Sequence, residues 1–417
     1  MKTIVCTGGG TGGHIYPGLA VADELKELCP DVRIVWFGSS SGRDKEMVLA
    51  NKNAAGFSSV DAFVGIPSGK LRRYFSFRTF ADVFKVAAGF FTAFFHLARI
   101  KPCAVFSKGG FVSVPPCAAA FFLRIPVYTH ECDFSPGLAT RLNSRFASCI
   151  LLSYEQSRRF FPEKMQPFLS VTGNPVRSAF YTADAVKGRL FLGLDRKSES
   201  EADKTETNES VKKSRAEEKP LLLVLGGSSG AHQINNLVFK NFDWLCERFI
   251  LVHQTGRGND YERALCPEYE SARQNKNYLP YDFIYSDMPH VIAASDIVFS
   301  RSGANSLWEC AVCAKPMLLL PLAGSGTRGD QVENAARFAQ QGAALVIQPL
   351  TAGAPAGKAS SAEEKLSLDL KSNLKKMCDV DFRTAMGKNA LKSAGTEKSA
   401  QKIADILYRG VLAKNDF

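Results

Sequence analysis

The sequence predicts an α/β chain of two facing Rossmann-like domains, each built on a parallel sheet, and three observations carry that expectation. Short apolar runs alternate with helix-compatible stretches through most of the 417 residues, the pattern of strand–helix–strand units with helices on both sheet faces. The first apolar run, Ile4-Val5-Cys6, leads straight into Gly8-Gly-Gly-Thr-Gly-Gly-His14. A second run, Leu221–Leu225, leads into Gly226-Gly-Ser-Ser-Gly-Ala-His232, the same device used again. At roughly 100–200 residues per domain the length allows two to four. The repeated loop favours two similar domains across a cleft over one long sheet.

In order, residues 2–6 and 32–37 read as strands around a helix at 15–28, and 104–107, 127–129 and 150–153 as further short strands. The turn cluster Gly173-Asn-Pro-Val-Arg177 reads as a boundary between domains 1–177 and 178–397. Residues 195–219, dense in Lys, Glu, Ser, Asp and Thr, bury too little apolar surface to offset the entropy of ordering them and read as a flexible insertion. Strands at 221–225, 249–253, 297–300 and 317–320 rebuild the alternation, and 352–364, rich in Ala, Gly, Ser and Pro, reads as an exposed loop. Ile403, Ile406, Leu407, Val411 and Leu412 have helical spacing, so a helix at about 398–417 should pack on a neighbouring surface, with the first domain as the expected one.

Composition narrows the partners. A net charge of +11 favours anionic ones: nucleic acid, phosphate-bearing substrates or a membrane surface. Between residues 63 and 101 stand Lys70, Arg72, Arg73, Arg78, Lys85, Arg99 and Lys101 against the single acid Asp82, interleaved with the phenylalanine-rich run 86–95. That run fits two readings, a core helix behind a solvated basic loop or a helix docked on an anionic lipid surface. It is short of the ~20 residues a spanning helix needs. No nucleic-acid signature accompanies the charge. The start of the chain lacks the pattern of a signal peptide, so the eleven scattered cysteines are expected as thiols. Cys310 and Cys313 form a Cys-x-x-Cys with no second pair to complete a zinc site.

Five glycines in six positions at the end of a first strand indicate a ligand loop. Glycine lets a ligand approach the main chain, and the first turn of the following helix carries unpaired N–H groups that suit an anion. Gly8, Gly10 and Gly13 match the dinucleotide fingerprint. A nicotinamide enzyme should also place an acid at the end of the second strand, where this chain reads Phe37-Gly-Ser-Ser-Ser41. Other polar residues fall at strand ends: Ser107-Lys-Gly-Gly110 and His130-Glu-Cys-Asp133.

Gly9-Gly-Thr-Gly-Gly-His-Ile-Tyr-Pro-Gly-Leu-Ala20 closely resembles the amino-terminal signature of the MurG family of N-acetylglucosaminyltransferases. Gly109-Gly-Phe-Val-Ser-Val-Pro115, His130-Glu131, Gly173-Asn-Pro-Val-Arg177, Gly226-Gly-Ser228, Arg301-Ser-Gly303 with Glu309, and Gln331-x-x-Asn334-Ala match in the same order. The resemblance runs from about residue 3 to 345. It implies a GT-B type fold, with the acceptor, undecaprenyl-pyrophosphoryl-MurNAc-pentapeptide, on the first domain and UDP-GlcNAc mainly on the second. It also implies peripheral attachment to an anionic membrane surface at the cytoplasmic face of the inner membrane, which favours the docked reading of 63–101. Thr11, Gly12 and Gly13 fall at the reacting end of the donor. Arg177, Ser228, Ala304, Asn305, Glu309 and Gln331 fall at donor contacts, with Glu309 on the ribose hydroxyls and Gln331 on the sugar. Tyr285 is the candidate for a uracil contact. These chemistries suit their roles: a carboxylate accepts two hydroxyl hydrogen bonds, and arginine with loop amides holds a diphosphate.

Asp133 falls at a further substrate-binding position, where the chain departs from the family: His-Glu-Gln-Asn becomes His130-Glu-Cys-Asp133, and an ionised Asp133 cannot donate hydrogen bonds and would repel a nearby diphosphate. Ser229 and Asp330 also replace the family's residues. The reaction implied is inverting transfer of GlcNAc to the MurNAc 4-hydroxyl, forming the lipid-linked disaccharide of peptidoglycan synthesis. His14, which follows the loop and titrates near neutrality, is the first candidate base, and Glu131 the second. Amides and Arg177 can meet the leaving diphosphate without a metal, which leaves Mg2+ a stimulatory role at most. Asp379-Val-Asp381 is far from every glycine loop in sequence. Two alternatives remain, a UDP-GlcNAc epimerase of the same fold and a non-catalytic nucleotide-sugar-binding protein.

Overall fold

The computed structural model describes residues 2–53, 56–69, 77–195, 219–226, 231–256, 274–324, 327–349, 359–395 and 397–412. The chain forms two units: Met1–Ser178 with Gly395–Phe417, and Ala179–Ala394.

The first unit is a seven-stranded parallel sheet, in the order β3-β2-β1-β4-β5-β6-β7. Its strands are β1 (Thr3–Thr7), β2 (Arg33–Ser39), β3 (Ala62–Ile66), β4 (Ala104–Ser107), β5 (Val127–Glu131), β6 (Cys149–Leu152) and β7 (Leu169–Val171). The helices α1 (Gly12–Leu28), α2 (Asp44–Ala50), α3 (Phe77–Ile100), α4 (Val114–Phe122) and α5 (Leu138–Asn143) connect them. Side chains alternate across a strand, so each strand feeds two cores. Ile4, Ile34, Trp36 and Phe106 pack with Leu19 of α1 and with Ile403 and Leu407 of the last helix, Ser399–Leu407. Val5, Val35, Phe37 and Val105 face the other way, against Ala93 and Leu97 of α3 and Ala119 and Ala120 of α4.

The second unit repeats the plan with six parallel strands in the order β10-β9-β8-β11-β12-β13. These are β8 (Leu221–Leu225), β9 (Ile250–Gln254), β10 (Tyr278–Tyr281), β11 (Ile297–Ser300), β12 (Met317–Leu319) and β13 (Ala344–Val346). Both orders step outward from the first strand and then jump back across it. That jump places a topological switch point between β1 and β4 in one unit and between β8 and β11 in the other, where open α/β sheets bind ligands. The expectation of two Rossmann-like α/β domains with parallel sheets holds.

Several expectations need correction. Helix α1 begins at Gly12 rather than Ile15, so Gly12, Gly13 and His14 form its first turn. Strand β5 runs on to Glu131, which makes His130 and Glu131 strand residues. Residues 359–364 are helical, the start of Ala359–Met377, because the Ala and Glu residues there, and the Lys and Leu that follow, are strong helix formers. The rest of the 352–364 reading, and 196–218 of the insertion, lie outside the described residues. Strands β3, β7, β10 and β13 had no clear signal. In β10, Pro280 argues against a strand, but the strand is at the sheet edge, where a missing N–H costs little.

Candidate active site

At the switch point of the first unit, the loop after β1 meets the loop after β4. Gly10 takes a left-handed conformation at φ +82°, and Gly109 and Gly110 do the same at +82° and +79°. Trp36 Nε1 donates to Gly8 O at 3.1 Å, anchoring the first loop to the sheet. Both carboxylate oxygens of Asp44 accept the Gly10 N–H, at 3.1 and 3.0 Å, and Oδ2 also accepts the Ser39 N–H at 2.9 Å. The second loop is held by a buried polar network. Ser107 Oγ accepts from Gly109 N and from Asn143 Nδ2, both at 3.1 Å, while Asn143 Nδ2 also reaches Ser113 Oγ at 2.8 Å.

His14 stands where these loops meet. Its N–H bonds back to Thr11 O at 3.1 Å, and its half-buried ring lies against the backbone of the β4 loop. A Cβ at Gly110 would stand 2.8 Å from His14 Cδ2, so only glycine leaves room for the imidazole. Thr11 is exposed just before the helix, and Gly12 and Gly13 are half-buried beside it. Arg177 also reaches this end of α1, its guanidinium 5.2 Å from the centre of the Tyr16 ring.

Glu131 is engaged differently from His14. It is 5% exposed, and its two carboxylate oxygens accept the Asp133 N–H at 3.0 Å and the Gly137 N–H at 2.8 Å. The carboxylate therefore folds the turn after β5. Ligand atoms of Glu131, Cys132 and Asp133 lie within 4.8 Å of one another. Both Glu131 oxygens accept backbone amides, so holding this turn is a role the carboxylate already has. His130 is buried, with Nε2 2.9 Å from Gly173 O. Burial, and then the Lys108 ammonium, hold its imidazole well below the ordinary range despite the Gly173 bond, so Nε2–H donates to that carbonyl and the ring is neutral. Lys108 is itself 1% exposed, and its ammonium has no hydrogen-bond partner among the described residues.

In the second unit, Ala304, Asn305 and Glu309 lie on the helix Ala304–Val312, which starts just beyond β11. Gln331 opens the helix Asp330–Gln340. Ser302 ties it to the β11 loop, its Oγ donating to Gln331 O at 2.7 Å, while Gln331 Oε1 accepts the Leu322 N–H at 3.0 Å. Arg301 braces the same end, with Nη1 donating to Gln233 Oε1 at 2.9 Å and Leu320 O at 3.0 Å. These residues therefore gather at the carboxyl ends of β11 and β12. Tyr285 follows the edge strand β10 and is 61% exposed, with its ring edge-on to Phe283. Ser228 lies outside the described residues.

Other candidate chemistry proves structural. Cys310 is a buried thiol and Cys313 a half-buried one: burial pushes Cys313 up to about 12 and raises Cys310 well above the ordinary thiol range, and Cys313 Sγ donates to Phe180 O. Asp379 Oδ1 caps the helix Val380–Ala394 by accepting the Asp381 and Phe382 N–H groups. Sequence reasoning missed Asp44. An acid opening a helix signals a cap, but nothing in the sequence shows that its partner is a glycine loop 34 residues earlier.

Comparison with known proteins identifies the family. Residues 4–152 match the glycosyltransferase family 28 N-terminal domain and residues 221–354 its C-terminal domain. The UDP-N-acetylglucosamine–N-acetylmuramyl-(pentapeptide) pyrophosphoryl-undecaprenol N-acetylglucosamine transferase of Treponema denticola is 49% identical over 350 residues, covering 83% of this chain and 84% of that protein. The transferase of the same name from Clostridium kluyveri is 34% identical over 413 residues, covering 98% and 99%. In fold, the crystal structure of Acinetobacter baumannii MurG superimposes with a TM-score of 0.67 at 22% identity, covering 98% of this chain and 100% of that one. A UDP-GlcNAc 2-epimerase from Neisseria meningitidis shares the fold at a TM-score of 0.59 and 14% identity, covering 99% and 100%. The chain is a glycosyltransferase, and it belongs to family 28 and, within it, to the N-acetylglucosamine transferases that act on pyrophosphoryl-undecaprenol-linked N-acetylmuramyl pentapeptide.

Proposed function

We propose that this protein transfers GlcNAc from UDP-GlcNAc to the 4-hydroxyl of MurNAc in undecaprenyl-pyrophosphoryl-MurNAc-pentapeptide, inverting the anomeric centre. The observation that carries the reading is the 49% identity to a transferase of that name across both units. His14 takes the proton of the acceptor hydroxyl as the new O4–C1 bond forms. The C1–O bond to UDP breaks, and UDP leaves with the electron pair. A general base of this kind contributes typically ~10²–10⁴-fold. The Glu131 carboxylate, held by two amides, is the weaker candidate. Arg177 and backbone amides supply positive potential for the leaving diphosphate, and no step needs a metal.

The acceptor's lipid places the reaction at a membrane, and the first unit has a surface suited to one. By length and composition, Asp82–Ile100 could span a bilayer, but its Ala93 and Leu97 are buried on the sheet. One face of the helix is thus committed to the sheet, and its exposed face is the one we assign to docking on a membrane. Phe84, Phe91 and Phe95 are 72, 58 and 69% exposed, and Phe121 and Phe122 of α4 are 51 and 66% exposed. A groove of about 500 Å³ beside them is lined by Phe121, Phe122, Arg124 and Arg145, which suits an anionic headgroup above buried acyl chains.

UDP release from UDP-GlcNAc, measured with and without a MurNAc-pyrophosphoryl-lipid acceptor, tests the proposal. Acceptor-dependent release supports the transferase. Turnover without acceptor would point to an epimerase, and binding without turnover to a non-catalytic protein.

A further inference from the structure

We propose that Asp44 is a positioning residue for the transfer: it is the resident anion of the Gly8–Gly10 loop and holds that loop in the shape that presents His14. Asp44 is the first residue of α2 and is 2% exposed. Its carboxylate receives two backbone N–H groups, those of Gly10 and Ser39, one from the loop after β1 and one from the last residue of β2. The packing is tight enough that a Cβ on Gly9 would collide with the carboxylate. In a glycine loop that binds phosphate, such amides point at the ligand. Here the protein fills that position with its own carboxylate.

Two consequences follow. The Gly10 amide is withdrawn from the donors open to a substrate diphosphate, and any second anion brought to Gly10 would meet a like charge. The loop is also pinned two residues before α1 begins, so Asp44 fixes the start of the helix whose first turn carries His14. Gly110 confines the ring from one side, and Asp44 confines its backbone from the other. A base held by two such clamps loses rate rather than substrate affinity when one is released.

The inference rests on the reading of His14 as the base, and the experiment separates the two. Asp44→Asn turns one acceptor oxygen into an NH2 group facing the backbone amides. Its kcat should fall about ten- to hundredfold, with KM for UDP-GlcNAc and for the acceptor each within about twofold. In Asp44→Ala, added formate should restore part of the lost kcat by reoccupying the vacated position, whereas chloride at equal ionic strength should not. If Asp44→Ala does not fold, judged by circular dichroism, the Asp44→Asn split carries the test alone. Wild-type kcat in Asp44→Asn, or a rise in KM matching the loss, would overturn the proposal, as would failure of formate in a folded Asp44→Ala. Normal turnover in His14→Ala would instead sink the base reading. Collapse of His14→Ala beside an unimpaired Asp44→Asn would sink only the positioning role.

Discussion

The imidazole of His14 rests on the backbone of Gly110, so closely that a Cβ there would stand 2.8 Å from Cδ2. Gly110 is also at φ +79°, a conformation that L side chains rarely adopt. Gly110→Ala should therefore displace the ring as well as strain the loop. A displacement of about 1 Å can cost on the order of 10²-fold in rate. Steady-state assays should show a large loss in kcat, while calorimetry with UDP should show little change in affinity, since most UDP contacts are assigned to the second unit and the substitution leaves Arg177 in place. Unchanged turnover would mean that the ring position is irrelevant to the chemistry.

His14→Ala and Glu131→Gln distinguish the two candidate bases. Loss of a general base costs ~10²–10⁴-fold in kcat. His14→Ala should show that loss with UDP-GlcNAc binding intact. Glu131→Gln places an NH2 group against the amide of Asp133 or Gly137. It should lower stability by about 1–3 kcal/mol in urea denaturation and retain much of the turnover. The reverse pattern would transfer the role to Glu131.

Acid should weaken the second unit through His253. This residue is fully buried between Tyr278 Oη, 3.2 Å from Nδ1, and Asn235 Oδ1, 3.1 Å from Nε2. Burial pushes its pKa from 6.5 down to about 3. Below pH 6.5 the unfolded chain binds a proton that the folded protein refuses, so stability falls as pH drops, by roughly 1.4 kcal/mol per unit, until the folded form titrates. Asp23 works in the opposite direction in the first unit, where burial raises its carboxyl to about 6. The difference between wild type and His253→Gln isolates the histidine: the wild-type advantage in urea melts should narrow from pH 7 to pH 5. A constant gap would contradict the assignment.

The exposed phenylalanines give a prediction that does not depend on catalysis. Phe91→Ser with Phe95→Ser should reduce partition onto anionic vesicles by at least about tenfold, since burying one such side chain is worth about 1.5–3 kcal/mol. Turnover on a short-chain, water-soluble acceptor should be unchanged. Undiminished vesicle binding would remove α3 from the docking surface.

Much of the architecture was legible in the sequence because it rests on local pattern. Buried parallel strands appear as apolar runs, and the loop after β1 as a glycine cluster directly after one, so the two α/β domains and the position of His14 could be read directly. Strands such as β3 and β7, with half-buried or short sequences, had no such contrast. His130 could be placed near a strand end without a role, and Glu131 only as the second candidate base. Whether a carboxylate is a base or a brace depends on which amides reach it, and those of Asp133 and Gly137 arrive through a turn that only the folded chain defines. Asp44 is the clearest case. Its partner Gly10 is 34 residues away, and the sheet order places β2 beside β1, bringing α2 to the glycine loop. Residue types and spacing determined that a glycine loop and a histidine would stand at the end of the first strand. Tertiary structure alone decided what holds them there, because hydrogen bonds between distant segments leave no periodicity in the chain.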